Sequence, residues 1–185
     1  MNLQNHLLIA MPTMDDDYFH RAVIFMCEHN DKGAMGLVLN QPTDLSLTEM
    51  VAKLRFMMSD DKIYPQDYVV AGGPVSIERG FILHTPTTQS FLHSYKISDR
   101  LQLTTSADVI DTFGTPNAPE KYLVGLGCAS WVNGQLEQEI AQNMWLVMPA
   151  DEQIIFDVAY QDRWTESLKL LGIDSHNLSG KAGYC

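Results

Sequence analysis

Apolar residues in this chain gather into runs of strand length, and proline or glycine closes most of them, so a strand-rich fold is the first expectation. Leu7-Leu8-Ile9-Ala10-Met11 stops at Pro12, whose missing N–H cannot serve a sheet ladder. A strand is predicted from Arg21 to His29 through Val23, Ile24 and Phe25. Asn30-Asp31-Lys32-Gly33 then supplies hairpin chemistry, and Gly36 to Asn40 returns. Tyr68 to Ala71 and Phe81 to Thr85 read as strands on either side of Gly72-Gly73-Pro74. Further strands are expected at Tyr95 to Ile97, Leu101 to Thr104, Tyr122 to Leu126 and Trp145 to Met148, the last stopped by Pro149.

Helices are fewer and short. Ser46-Leu47-Thr48-Glu49 is a capping box, followed by Met50, Leu54 and Met57 or Met58 at helical spacing. Ser106 is placed to cap a short helix carrying Val109, Ile110 and Phe113, which Gly114 ends. Leu136 and Ile140 mark one face of a helix from about Gly134 to Asn143. Trp164, Leu168 and Leu171 mark another from about Asp162 to Leu171, with Gly172 just past its end. No repeat and no linker-like stretch divides the chain, so a single α+β domain over residues 1–185 is expected.

A chain of 185 residues, 45% of them apolar, buries enough surface to fold without staples. Cys27, Cys128 and Cys185 are odd in number and far apart, which favours reduced thiols over a disulfide framework or a zinc site. The opening Met1-Asn2-Leu3-Gln4-Asn5-His6 lacks the basic start and long apolar run of a signal peptide, and no apolar stretch reaches membrane-span length. A cytoplasmic location without membrane association follows as an expectation. Net charge is −11 and the 12 lysines and arginines are scattered, with only Lys53 and Arg55 close together. Direct nucleic-acid binding gains its energy through clustered cations and is therefore disfavoured.

Several segments occur in a telling order and spacing: Ala10-Met11-Pro12-Thr13-Met14, Glu28-His29-Asn30, Gly33 to Asn40, Ala71-Gly72-Gly73-Pro74-Val75, Leu83-His84, Trp131 to Glu139 and Asn143-Met144-Trp145-Leu146. Together they resemble the AlgH/YqgE family of bacterial proteins across the whole chain. The resemblance implies a complex bifurcated β-sheet, partly closed into a small barrel and flanked by helices. It also implies a family described as regulators or left without an assigned role, and it brings no catalytic residues with it. Cys128 stands where relatives often carry an aromatic residue, which argues against a family-wide thiol role.

Four local patterns suggest chemistry. Cys27 and His29 are two apart on a predicted strand and should share a face, as an imidazole that activates a thiolate must; the ordinary alternative is a small buried cysteine. Gly125-Leu126-Gly127-Cys128-Ala129-Ser130 mimics part of a phosphate-cradling loop but lacks its third glycine, so a packed tight turn before a helix is expected. Asp15-Asp16-Asp17 has no calcium-loop spacing and reads as a solvated loop. Glu137 and Glu139, two apart on a helix, face different ways and cannot pair as acid and base; one should turn inward or towards Gln135 or Gln142.

The remaining candidates are Glu28, His29, Asn40, Gly73, His84, Trp131, Gln135, Glu139 and Asn143. Converging beside Gly72-Gly73-Pro74 they would make a small polar cleft; otherwise they satisfy buried backbone groups where strands change partners. No complete catalytic or cofactor motif is present, so no cofactor and no metal is expected. The leading expectation is a non-enzymatic binding or regulatory protein acting on a protein or small-molecule ligand, with Phe56-Met57-Met58 as adaptable apolar surface. A hydrolase using Cys27, His29 or Glu139 is the alternative. A transcriptional regulator is a further one, and it would need a positive patch from dispersed residues.

Overall fold

The computed structural model describes residues 2–54 and 68–173, so Arg55, Phe56, Met57, Met58 and Cys185 lie outside the described residues. Among the described residues the strands are β1 (His6–Ala10), β2 (Val23–Asn30), β3 (Gly33–Val38), β4 (Val70–Ala71), β5 (Val75–His84), β6 (Ser94–Lys96), β7 (Gln102–Thr104), β8 (Tyr122–Val132) and β9 (Trp145–Pro149). The helices are α1 (Leu47–Leu54), α2 (Asp108–Asp111), α3 (Gln135–Ala141) and α4 (Arg163–Leu170), with one π-helical turn at Gln153–Asp157.

The strands form a curled sheet in the order β6-β7-β5-β8-β3-β2-β1-β9, antiparallel except where β4 pairs in parallel with β8. Bifurcation occurs at β8. One edge of it pairs with β5, while the other takes β4 at Gly125 and Leu126 and then β3 from Ala129 to Val132. The result is a half-barrel flanked by helices. Side chains tie the chain just after its edge strand β6 to segments beside β1 and β9: Arg100 pairs with Glu152 through two N–H donors, and Gln4 reaches the Ile97 carbonyl.

Both faces of the central strands are covered, which is why β1 and β2 read as continuous apolar runs instead of alternating ones. Leu7, Phe25, Leu37 and Leu83 point inwards with Trp164 and Leu168 of α4. Leu8, Ile24 and Met26 point the other way, against Trp131, Leu136 of α3 and Trp145. Leu47 and Val51 of α1 and Val109 and Phe113 near α2 close a third cluster over Ile82 and Val124.

Local signals performed unevenly. The capping box forms, with Ser46 Oγ accepting from the Glu49 N–H at 3.1 Å and Glu49 Oε2 accepting from the Ser46 N–H at 3.0 Å. Gly172 has φ +72° after α4, and the Ile173 N–H returns to the Leu168 carbonyl at 2.9 Å, as a helix stop requires. Ser106, however, does not cap α2: its Oγ accepts from the His93 N–H at 3.1 Å, and Ala107 takes the cap position.

The tight turn expected within Gly125 to Ser130 is also corrected, because β8 runs on to Val132 and α3 begins only after Asn133-Gly134. Gly127 is a kink inside the strand, at φ +74°, where a Cβ would meet the Gly73 carbonyl oxygen at 2.3 Å. The resemblance of this segment to a phosphate loop therefore ends in strand packing.

Two features were not legible beforehand. Ile154, Ile155 and Phe156 are consecutive and all buried, and the wider π turn places all three against the core. Arg163 is 1% exposed, donating from Nε to the Val158 carbonyl at 3.0 Å, from Nη2 to the Tyr68 hydroxyl at 3.2 Å, and from Nη1 to the Leu39 carbonyl. Burial holds its guanidinium below the usual range.

Candidate functional site

The most consequential local event is a bulge in β2. Met26 pairs with Gly36 and Glu28 with Met35, so Cys27 is an extra residue with no partner in β3. One inserted residue exchanges the faces of everything beyond it. Cys27 stays on the inner face with Phe25, but His29 turns to the opposite face, opposite Ala34. The expected Cys27–His29 pairing on one face is therefore overturned. Burial pushes the Cys27 thiol well up, and nearby Cys128 and Glu28 add to it.

On its own face His29 is buried and both ring nitrogens are used. Nδ1 accepts from the Leu3 N–H at 3.0 Å, which leaves the proton on Nε2, and Nε2 donates to Glu137 Oε1 at 2.8 Å. A hydrogen bond from its own backbone N–H at the start of α3, then the one from His29, hold the Glu137 carboxyl below its usual value.

Glu139, two residues on and so towards the opposite side of the helix, faces inwards as one of the pair was expected to do. Its Oε2 accepts from the indole N–H groups of both Trp131 and Trp145 at 2.8 Å each, and its Oε1 accepts from Gln135 Nε2 at 3.0 Å. Gln135 Oε1 in turn accepts from the Val132 N–H at 3.1 Å. The indoles meet edge to face, with centroids 6.3 Å apart. Asn143 closes the helix at φ +56°, followed by a Met144 N–H bond to the Glu139 carbonyl at 3.0 Å. Glu139→Leu is expected to lower stability by about 2–3 kcal/mol, since two indole N–H groups lose their acceptor, whereas Glu139→Gln keeps an acceptor there. Urea unfolding of the two variants checks this, and equal midpoints would refute the pinning role.

The other expected residues stand elsewhere. Asn40 Oδ1 accepts from the Val23 N–H and its Nδ2 donates to the Arg21 carbonyl, both at 2.8 Å, stitching the end of β3 to the start of β2. Gly73 packs its Cα against the backbone of Cys128. His84 is fully buried in β5, with Nδ1 donating to the Thr85 carbonyl and Nε2 bonded to Thr104 Oγ1, both at 2.8 Å. Glu28 is exposed and accepts from Asn30 Nδ2 at 2.6 Å. Of the candidates, Trp131, Gln135 and Glu139 are joined directly by hydrogen bonds, and His29 reaches the same helix through Glu137. Asp15 and Asp17 are exposed, while Asp16 Oδ1 accepts from the Tyr18 and Phe19 N–H groups at 2.8 Å.

A cleft that the sequence reading missed lies on the inner side of the sheet. It has a volume of about 440 Å³, with Met35, Phe81, Ile97 and Leu103 as its apolar wall and Gln4, Cys27, Glu28, Arg79, Tyr95, Lys96 and Thr105 around them. These residues come from β2, β3, β5, β6 and β7 and from the chain beside them, so no local spacing could announce them. Isolated cations such as Arg79 were the single signal available.

A model of AlgH-like proteins matches residues 7–176. The chain belongs to the AlgH-like family. It is 65% identical to a UPF0301 protein of Pasteurella multocida over 185 residues, the whole of both chains. Identity to a UPF0301 protein of Mannheimia succiniciproducens is 63%, again over the whole of both. The solution structure of the AlgH protein from Pseudomonas aeruginosa superposes with a TM-score of 0.77 at 38% identity, covering 100% of this chain and 97% of that one. A crystal structure of a Corynebacterium diphtheriae protein, 22% identical, shares the fold at a TM-score of 0.73 over 91% of this chain and 86% of that one. Among the described residues no helix is long and apolar enough to cross a membrane.

In this AlgH-like fold His84 ties stability to pH. Burial lowers its pKa, against a smaller opposing effect of the bond to Thr85. The unfolded imidazole takes up a proton near about 6.5, and the folded one only at lower pH. Between those values the unfolded state binds more protons, so stability falls as pH drops below about 6.5. The urea midpoint is expected to decline between about pH 7 and pH 5.5, and to decline less in His84→Gln. An unchanged slope in that variant would remove His84 as the cause.

Proposed function

We propose that this AlgH-like chain is a non-enzymatic cytoplasmic protein that binds a small molecule in the cleft on the inner side of its half-barrel. The observation that carries this reading is the cavity itself. Its volume of about 440 Å³ falls within the range of small-ligand sites, and it combines an apolar wall with polar and charged groups around it. Reaction chemistry has less support there, because burial keeps the Cys27 thiol protonated and His29 lies on the opposite face with no free ring nitrogen.

Decanol, an amphipathic neutral probe, tests the site by displacement of a fluorescent naphthalene sulfonate dye and by thermal shift. Binding to the parent protein is expected, together with its loss in Thr105→Trp, where a large ring occupies the cleft. Equal binding by both proteins would place the ligand elsewhere, and no binding by either would refute the reading.

A further inference from the structure

The chain carries 23 acidic against 12 basic residues, and two cations, Arg79 and Lys96, line the cleft. Lys96 Nζ lies 2.6 Å from Asp99. Arg79 differs. Among the described residues no carboxylate lies within ion-pair distance of it, although it stands in a strongly acidic protein. Its guanidinium sits over the Phe81 ring, 5.5 Å from the centroid, at the wall of the cleft.

Backbone geometry explains how Arg79 reaches that place. Val75 pairs with Cys128 and Gly80 with Leu126, so the four residues Ser76 to Arg79 stand opposite Gly127 alone. An excursion of this kind interrupts pairing and re-aims side chains, and such features gather at functional sites. Ser76 adopts φ +51°, a conformation a side chain rarely takes. Gly127 makes room for the crossing, since a Cβ there would lie 3.0 Å from the Val75 carbonyl oxygen and 3.3 Å from the Ile77 Cα. Beside the cation, Ile77 is 66% exposed, an apolar side chain on the same excursion.

We infer that Arg79 recognises an anionic head, and that the ligand of the cleft is an organic carboxylic acid with an apolar body. Stacking on Phe81 holds the planar fork while its N–H groups remain available, the arrangement that suits a carboxylate. The apolar body then lies along Phe81, Leu103 and Met35. Glu28, the one carboxylate in the lining, is held by Asn30 Nδ2 at 2.6 Å, and Lys96 is paired with Asp99, so Arg79 is the lining cation without an ion pair among the described residues.

This inference rests on the cleft being the ligand site, and the test separates the two. Decanoate and decanol are titrated at one ionic strength into the parent protein, Arg79→Gln and Arg79→Lys, with urea midpoints recorded for each. The parent is expected to prefer decanoate, and Arg79→Gln to lose about tenfold in decanoate affinity while binding decanol as before. Arg79→Lys should recover part of the loss, because it keeps the charge without the fork. If decanoate and decanol bind the parent alike, or Arg79→Gln weakens both equally, the anion role of Arg79 is overturned while the cleft stands. If neither probe binds the parent, the cleft reading itself fails.

Discussion

Gly73→Ala is expected to lower stability by at least about 3 kcal/mol and to shift much of the expressed chain into insoluble material. A Cβ at this position would lie 1.9 Å from the Cys128 carbonyl carbon, 2.1 Å from its oxygen and 2.2 Å from the Ala129 nitrogen. Those are backbone atoms of β8, held by β5 and β3 on either side of the kink, so they have nowhere to move. The φ of +156° adds strain for any side chain. Gly80→Ala is the matched control, since nothing lies within 4 Å of its notional Cβ, and it should stay within about 0.5 kcal/mol of the parent. Urea unfolding of both checks the contrast, and a Gly73→Ala protein as stable as Gly80→Ala would refute the close approach of Gly73 to β8.

Arg163→Ala should be comparably damaging, with a loss of about 4 kcal/mol. The side chain is 1% exposed, so truncation leaves a void in the core beneath α4, and the Leu39 and Val158 carbonyls lose their donor. Arg163→Met isolates the polar part: the stem still packs, the carbonyls do not regain a partner, and about 2 kcal/mol should be lost. Both values come from equilibrium unfolding. Arg163→Met matching the parent would mean that the buried guanidinium contributes packing alone.

Arg163 also shows where reading along the chain stops short. The spacing of Trp164, Leu168 and Leu171 marked the apolar face of α4, and nothing in that spacing marks the preceding arginine as buried. The distant Tyr68 hydroxyl and Leu39 carbonyl, with the nearby Val158 carbonyl, satisfy it, which makes burial tolerable. His84 repeats the lesson: it was marked as a polar cleft candidate, and Thr104, thirteen residues beyond Phe91, turns it into part of the core. Trp131, Gln135 and Glu139 are joined by hydrogen bonds because they lie within one strand end and the helix that follows, where spacing alone brings them together.

What the sequence determined by itself was everything governed by near neighbours: the apolar runs and their proline stops, the Ser46–Glu49 capping box, the Gly172 helix end, and the opposed directions of Glu137 and Glu139. Tertiary structure decided the rest, including which face His29 occupies, how β8 passes from β4 to β3, and the assembly of the cleft around Arg79. The reason is that side-chain direction in a strand alternates with a period of two only while pairing is regular. A single unpaired residue, Cys27, reverses it, and whether a residue is paired depends on the partner strand, which the chain meets only on folding.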